Sequence, residues 1–194
     1  MLIALKLVFF PFQTWQRIVT ARRSVLSIIL AHLLPLFFVA LAAESLSLTH
    51  WGEPRAGLAS RIKYSQEAAI RYAGAQAALL MASILIGALV MQWVAHSSQV
   101  QAGFTQCFTL MAYSFNPFLL VRFFDAIPGF NTWACWGLGA LGALAVLYHG
   151  VGLALKPDQT KGFGLYLVSI IVVLFSGFFS HFMAQFILRG KVTV

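Results

Sequence analysis

The chain has 194 residues, of which 60% are hydrophobic and only 9% are charged. A water-soluble domain carries about 25% charged residues, so this composition excludes a soluble globular protein and indicates an integral membrane protein. The net charge of +8 comes from Lys and Arg residues scattered along the margins of apolar segments, with no metal-finger spacing and no basic run, and we therefore expect no nucleic-acid partner.

The first 23 residues are predicted to form an amphipathic segment that lies in the membrane interface. Pro11 suits the first position of a helix. The apolar residues after it recur at helical spacing, opposite a polar face that includes Gln13 and Gln16. We expect aromatic and basic side chains to anchor this segment at the interface, namely Phe12, Trp15, Arg17, Arg22 and Arg23.

Five uncharged apolar stretches follow, each 18 to 25 residues long. A helix needs about 20 residues to cross a hydrocarbon core of about 30 Å. We therefore predict an all-α, polytopic membrane protein, a five-helix transmembrane bundle with an N-terminal amphipathic interfacial helix, in one domain over residues 1–194. The predicted spans cover about 24–43, 74–95, 104–121, 132–155 and 163–187.

Residues 44–73, between the first two stretches, form a long polar segment with seven charged residues. We expect these charges, Glu44 among them, to be solvated and the segment to be a loop rather than a domain. Residues 58–73 are predicted to extend the second helix into water, with Glu67 and Arg71 spaced as a favourable i, i+4 pair.

The third stretch is short and contains Asn116-Pro117, where proline removes a backbone donor and predicts a kink or break. Polar groups near the break need partners in lipid, so they should face protein. Arg122 and Asp125, one turn apart at the end of this helix, are expected to pair with each other. A packing kink and a ligand pocket both fit this pattern, and its candidate residues are Tyr113, Ser114, Asn116, Pro117, Arg122 and Asp125.

The fourth stretch contains a run whose letters match the Gly-x-Gly-x-x-Gly dinucleotide fingerprint, at residues 137–142. That motif requires a preceding strand and a helix start that faces a phosphate in water, whereas this run lies inside an apolar span. We interpret it as a helix-packing face that lets another helix approach closely. The face consists of Gly139, Gly142, Ala143 and Gly150.

The five histidines are widely spaced, and none pairs with another at the i, i+3 or i, i+4 spacing of two metal ligands on one helix. We therefore expect no metal, no haem and no other cofactor. His32 stands out because it lies in the middle of the first span, where a polar group requires a partner. The sequence shows no nucleophile with an adjacent base, so we expect no catalytic residues and no enzyme activity.

Several short segments, taken in chain order, match one family of membrane proteins over almost the whole sequence. They resemble the Yip family, named for interaction with Ypt/Rab GTPases, and in particular its compact bacterial members. The matching segments are Phe10-Pro11-Phe12-Gln13-Thr14-Trp15-Gln16-Arg17-Ile18, Leu34-Pro35-Leu36, Ala112-Tyr113-Ser114-Phe115-Asn116-Pro117, Ile127-Pro128-Gly129 and Leu155-Lys156-Pro157-Asp158-Gln159-Thr160-Lys161-Gly162.

The resemblance implies five transmembrane helices, a cytoplasmic N-terminus, residence in a bacterial inner membrane and no known catalytic residues. Eukaryotic members resemble membrane-traffic factors that engage Rab GTPases through a longer N-terminal segment with an Asp-Leu-Tyr-Gly-Pro motif. This sequence shows neither feature, so we expect no Rab-type GTPase partner.

Two functions remain open. The first is a non-enzymatic scaffold, adaptor or accessory subunit that associates with membrane lipids and with other membrane proteins or a second copy of itself, through small-residue faces and the N-terminal helix. The second is a small-molecule or lipid transporter with its site at the broken third helix, although no internal repeat of the kind found in many transporters is apparent.

Overall fold

A computed structural model describes residues 2–54, 61–125, 127 and 132–189 of the chain. Within this part, five helices are long and apolar enough to cross a membrane, which confirms the all-α, multi-span architecture. Among the side chains that face outward are Phe38, Trp93 and Phe175, which are 76%, 73% and 69% exposed. Apolar side chains this exposed on spanning helices are placed to face lipid.

The N-terminal segment forms two helices, α1 (Leu2–Phe9) and α2 (Pro11–Thr20), which pack against each other as a hairpin. Pro11 begins α2, where its fixed φ suits the first helical turn. α2 is amphipathic as predicted, since it buries Trp15 and Ile18 and exposes Gln13 and Gln16. The hairpin packs on the bundle of spanning helices that follows it.

Each span is one long helix or a helix with one local irregularity. A serine caps the start of the first and second spans, because Ser24 Oγ accepts from Ser27 N–H at 3.3 Å and Ser65 Oγ accepts from Ala68 N–H at 3.2 Å. The elements are α3 (Val25–Ile28), a π-helical turn (Ile29–Leu33) and α4 (Leu34–His50) in the first span, α5 (Gln66–Ser97) in the second, α6 (Phe104–Ser114) and α7 (Asn116–Asp125) in the third, α8 (Thr132–Gly150) and a second π-helical turn (Val151–Leu155) in the fourth, and α9 (Gln159–Arg189) in the fifth.

The segment between the first two spans differs from the prediction in two ways. The first helix continues to His50, so Glu44 lies inside α4 and not in a solvated loop. The second helix begins at Gln66 rather than near residue 58, because Ser65 caps it. Ahead of that cap, β1 (Glu53–Pro54) pairs antiparallel with β2 (Arg61–Ile62) as a two-residue ribbon. The predicted Glu67–Arg71 ion pair is present on the exposed first turns of α5.

Successive spans run in opposite directions, so the loops that connect them lie alternately at the two ends of the bundle. At one end, with the N-terminal hairpin, Lys161 Nζ donates to Gln99 Oε1 at 3.4 Å. At the other end, Ser45 Oγ donates to the Ala69 carbonyl at 3.4 Å. α5 and α9 share the most extensive helix contact, α8 packs against α7, and α4 contacts both α5 and α7. The broken third span packs against the second span through α6, and against the first and fourth spans through α7.

Candidate functional site

The third span breaks at the position that its proline predicts. α6 ends at Ser114, Phe115 forms the junction, and α7 begins at Asn116. Pro117 thus occupies the first turn of α7, where its missing N–H removes no helical hydrogen bond. The Ser114 hydroxyl donates to the Leu110 carbonyl at 2.7 Å, so it is satisfied within its own helix. The break leaves the polar side chains beside it inside the bundle.

A buried polar centre joins the break to the first span. His32 Nε2 donates to Asn116 Oδ1 at 2.9 Å, and the two residues are 2% and 0% exposed. The rings of His32 and Tyr113 lie 4.3 Å apart between centroids. His32 sits on the π-helical turn Ile29–Leu33, an irregularity that is frequent at functional sites. The structure thereby supplies the partner that the sequence required for His32.

Two polar atoms of this centre make no hydrogen bond within the described residues. They are the Tyr113 hydroxyl and Asn116 Nδ2, and both are fully buried. A buried donor without a partner costs about 1–3 kcal/mol. The centre therefore holds two buried donors that have no acceptor among the described residues.

Trp15, predicted as an interfacial anchor, is instead buried in the bundle. It is 0% exposed, and its Nε1–H donates to the Val146 carbonyl at 2.8 Å. Its ring also contacts that of Tyr113, with the centroids 6.0 Å apart. The apolar face of α2 packs on protein rather than on lipid, because α8 offers the indole both an acceptor and a close-fitting surface. Trp15 fixes the hairpin to the bundle.

The other predicted anchor residues remain at the surface of the hairpin. Phe12 is 50% exposed, and its ring contacts that of His149. Arg17 and Arg22 are exposed, and Arg23 is half-buried.

Arg122 belongs to a second polar centre, which links three spans. Its Nη1 donates to Glu44 Oε2 at 2.8 Å, and the Tyr72 hydroxyl donates to Glu44 Oε1 at 2.9 Å. The side chains of Arg122 and Glu44 are only 9% and 16% exposed. The sequence pointed instead to a local Arg122–Asp125 pair, and the Asp125 side chain lies outside what the structure describes. Sequence reasoning missed Glu44, since 78 positions separate it from Arg122.

The predicted glycine face of α8 packs on the segment that follows the break. A Cβ built on Gly139 would lie 2.9 Å from the Phe118 ring, and one on Gly142 would lie 2.7 Å from Pro117 Cβ. A Cβ on Gly150 would lie 2.6 Å from the Trp15 indole. Ala143 on the same helix is buried. These glycines therefore let α8 approach both the broken span and the N-terminal hairpin, closer than larger residues allow.

The six residues predicted for one pocket fall into separate groups. Tyr113 and Asn116 share the polar centre with His32, whereas Arg122 pairs with Glu44 and borders a void of about 20 Å³. A void of that size holds about one water molecule. In the part of the chain that the structure describes, no three His, Cys, Asp or Glu residues are placed to share a metal ion.

Comparison with known proteins identifies a family for the chain. No curated protein and no solved structure matches the chain. A family model described as the Yip1 domain matches residues 5–181. The match runs from the N-terminal hairpin through most of the fifth span, so it includes both polar centres and the glycine face. The chain therefore belongs to the Yip family of multi-pass membrane proteins.

Proposed function

We propose that the protein is a non-enzymatic membrane scaffold that binds a transmembrane helix of another membrane protein, or of a second copy, on its second span. Acyl chains are as apolar as the helix surfaces, so the hydrophobic effect does not drive helices together in lipid. Van der Waals packing between small residues is instead a main source of helix association. A surface with small residues open to lipid is accordingly the feature that such a function requires.

The observation that carries this proposal is a contrast between two small-residue faces. The face on α8 is filled by the protein itself, through Pro117, Phe118 and Trp15. On α5, Gly74, Ala78 and Ala82 recur every four residues on one side of the helix, and all three are exposed.

We call the row of Gly74, Ala78 and Ala82 on α5 the α5 groove, because small side chains stand there between larger ones. Among the described residues, nothing lies within 4 Å of a Cβ built on Gly74. Ile70 and Ile86, at either end of the row, are 60% and 61% exposed, so larger side chains close the groove along the helix axis. The small-residue face that the sequence predicts on α8 is thus used inside the molecule, whereas the α5 groove is open to a partner.

We expect Ala78→Phe to reduce the associated fraction at least fivefold, because a ring at the centre of the groove holds the partner helix away. The protein is isolated in polymer-bounded native membrane discs. The measurements are the fraction of a second, differently tagged copy that is isolated with it, and the amount of other membrane proteins that are cross-linked to it. Ala145→Phe is the matched control, since Ala145 is exposed on α8 among larger lipid-facing residues. If Ala78→Phe leaves association unchanged, or if both variants reduce it equally, the α5 groove is not the binding surface.

A further inference from the structure

We propose that the N-terminal hairpin and the broken third span together bind the headgroup of an anionic phospholipid. A cavity of about 270 Å³ lies between α1, α2 and α6. Three cationic side chains line it, namely Lys6 from α1, Arg17 from α2 and Arg23 from the turn that follows α2. The binding is independent of the partner surface on α5.

The charge around this cavity is unbalanced. The first 43 residues contain four Lys and Arg residues and no Asp or Glu. Among the described residues, the ion pairs are those of Arg71, Arg122 and Lys161, and none of them involves Lys6, Arg17 or Arg23. Three cations line one concave surface, and none of the described residues that line it carries a carboxylate. Such a surface favours an anion, and arginine matches the two oxygens of a phosphate group.

A buried donor also borders this cavity. Tyr113 is 1% exposed and lines the cavity beside Arg23. Its hydroxyl has no hydrogen-bond acceptor within the described residues. A phosphate oxygen in the cavity would give that hydroxyl an acceptor and remove the cost of leaving it unpaired.

The remaining walls point to a lipid rather than to a free anion. Leu2, Ile3 and Ile18 line the same cavity, and Leu2 is 74% exposed at the molecule's apolar surface. Acyl chains can therefore run outward along α1 while the phosphate stays between the cations. Basic pockets between helices near the membrane surface bind anionic lipid headgroups. This cavity has the required cations, and its apolar wall can contact the acyl chains.

The test measures binding of phosphatidylglycerol to the full chain in phosphatidylcholine nanodiscs, with the bound lipid counted by native mass spectrometry. We expect the double variant Arg17→Gln/Arg23→Gln to weaken phosphatidylglycerol binding at least tenfold. Arg22→Gln is the matched control, because Arg22 is exposed, lies next to Arg23 and does not line the cavity. It should change binding less than twofold. Tyr113→Phe, which removes only the hydroxyl, should weaken binding severalfold without lowering the unfolding temperature.

Four results would overturn the proposal. Equal losses of lipid binding in the Arg22→Gln variant and in the double variant would show that the lipid is attracted diffusely to the protein surface. Loss of all preference for phosphatidylglycerol in 0.5 M NaCl would show the same. Displacement of the lipid by 10 mM inorganic phosphate would assign the cavity to a free anion. Retained binding in the double variant would place the lipid elsewhere.

Discussion

Replacing Glu44 with alanine is expected to lower the free energy of unfolding by about 3 kcal/mol. The change removes the carboxylate that neutralises Arg122 and that accepts from the Tyr72 hydroxyl. Breaking a buried ion pair typically costs about 3–5 kcal/mol, because one charge stays desolvated. The lower end applies here, since the two side chains are 9% and 16% exposed. The measurement is equilibrium unfolding in mixed micelles.

Two further variants test whether the buried charge is the cause. Glu67→Ala removes the exposed Glu67–Arg71 pair, whose side chains are 71% and 55% exposed, and should cost less than about 1 kcal/mol. The double variant Glu44→Leu/Arg122→Met removes both charges and should recover most of the lost stability. Equal losses for Glu44→Ala and Glu67→Ala would show that the pair with Arg122 is not a structural link between spans.

Substituting Gly142 with alanine is expected to destabilise the bundle by about 1–3 kcal/mol, as overpacking a close-fitting interface usually does. The new methyl group would lie 2.7 Å from Pro117 Cβ and 3.2 Å from Pro117 Cγ. The proline ring cannot rotate aside as a flexible side chain can, so α7 and α8 must move apart. The same unfolding measurement reports the loss.

Gly137 supplies the control within the same helix. No described residue lies within 4 Å of a Cβ at Gly137. Gly137→Ala should therefore leave stability unchanged or raise it slightly, since alanine favours helix. If Gly137→Ala and Gly142→Ala have the same effect, contact with Pro117 does not explain the glycine at position 142.

The spans, the amphipathic N-terminal helix and the break at Asn116 could be predicted because each depends on local information. Uncharged runs of sufficient length define the spans, and proline defines the break. The α8 glycines also share a face by helical geometry alone. For these features, the residues that determine the structure lie close together in the sequence.

The contacts between spans could not be predicted in the same way. A carboxylate is costly in lipid, so the sequence alone predicts a solvated loop at Glu44, and only its pairing with Arg122 in the folded bundle makes its place in α4 stable. Tryptophan is common at the membrane interface, so the sequence predicts an anchor at Trp15, whereas its acceptor, the Val146 carbonyl, lies 131 positions away. His32 signalled the need for a partner without identifying Asn116.

The most direct test of the scaffold function is photo-crosslinking in the intact membrane, with a photoreactive amino acid placed in turn at positions 78 and 145. Both positions are exposed on spanning helices, one in the α5 groove and one on α8. We predict protein adducts, from a second copy or another membrane protein, at position 78 and lipid adducts at position 145. Lipid adducts alone at position 78, or the same protein adducts at both positions, would contradict the proposed function.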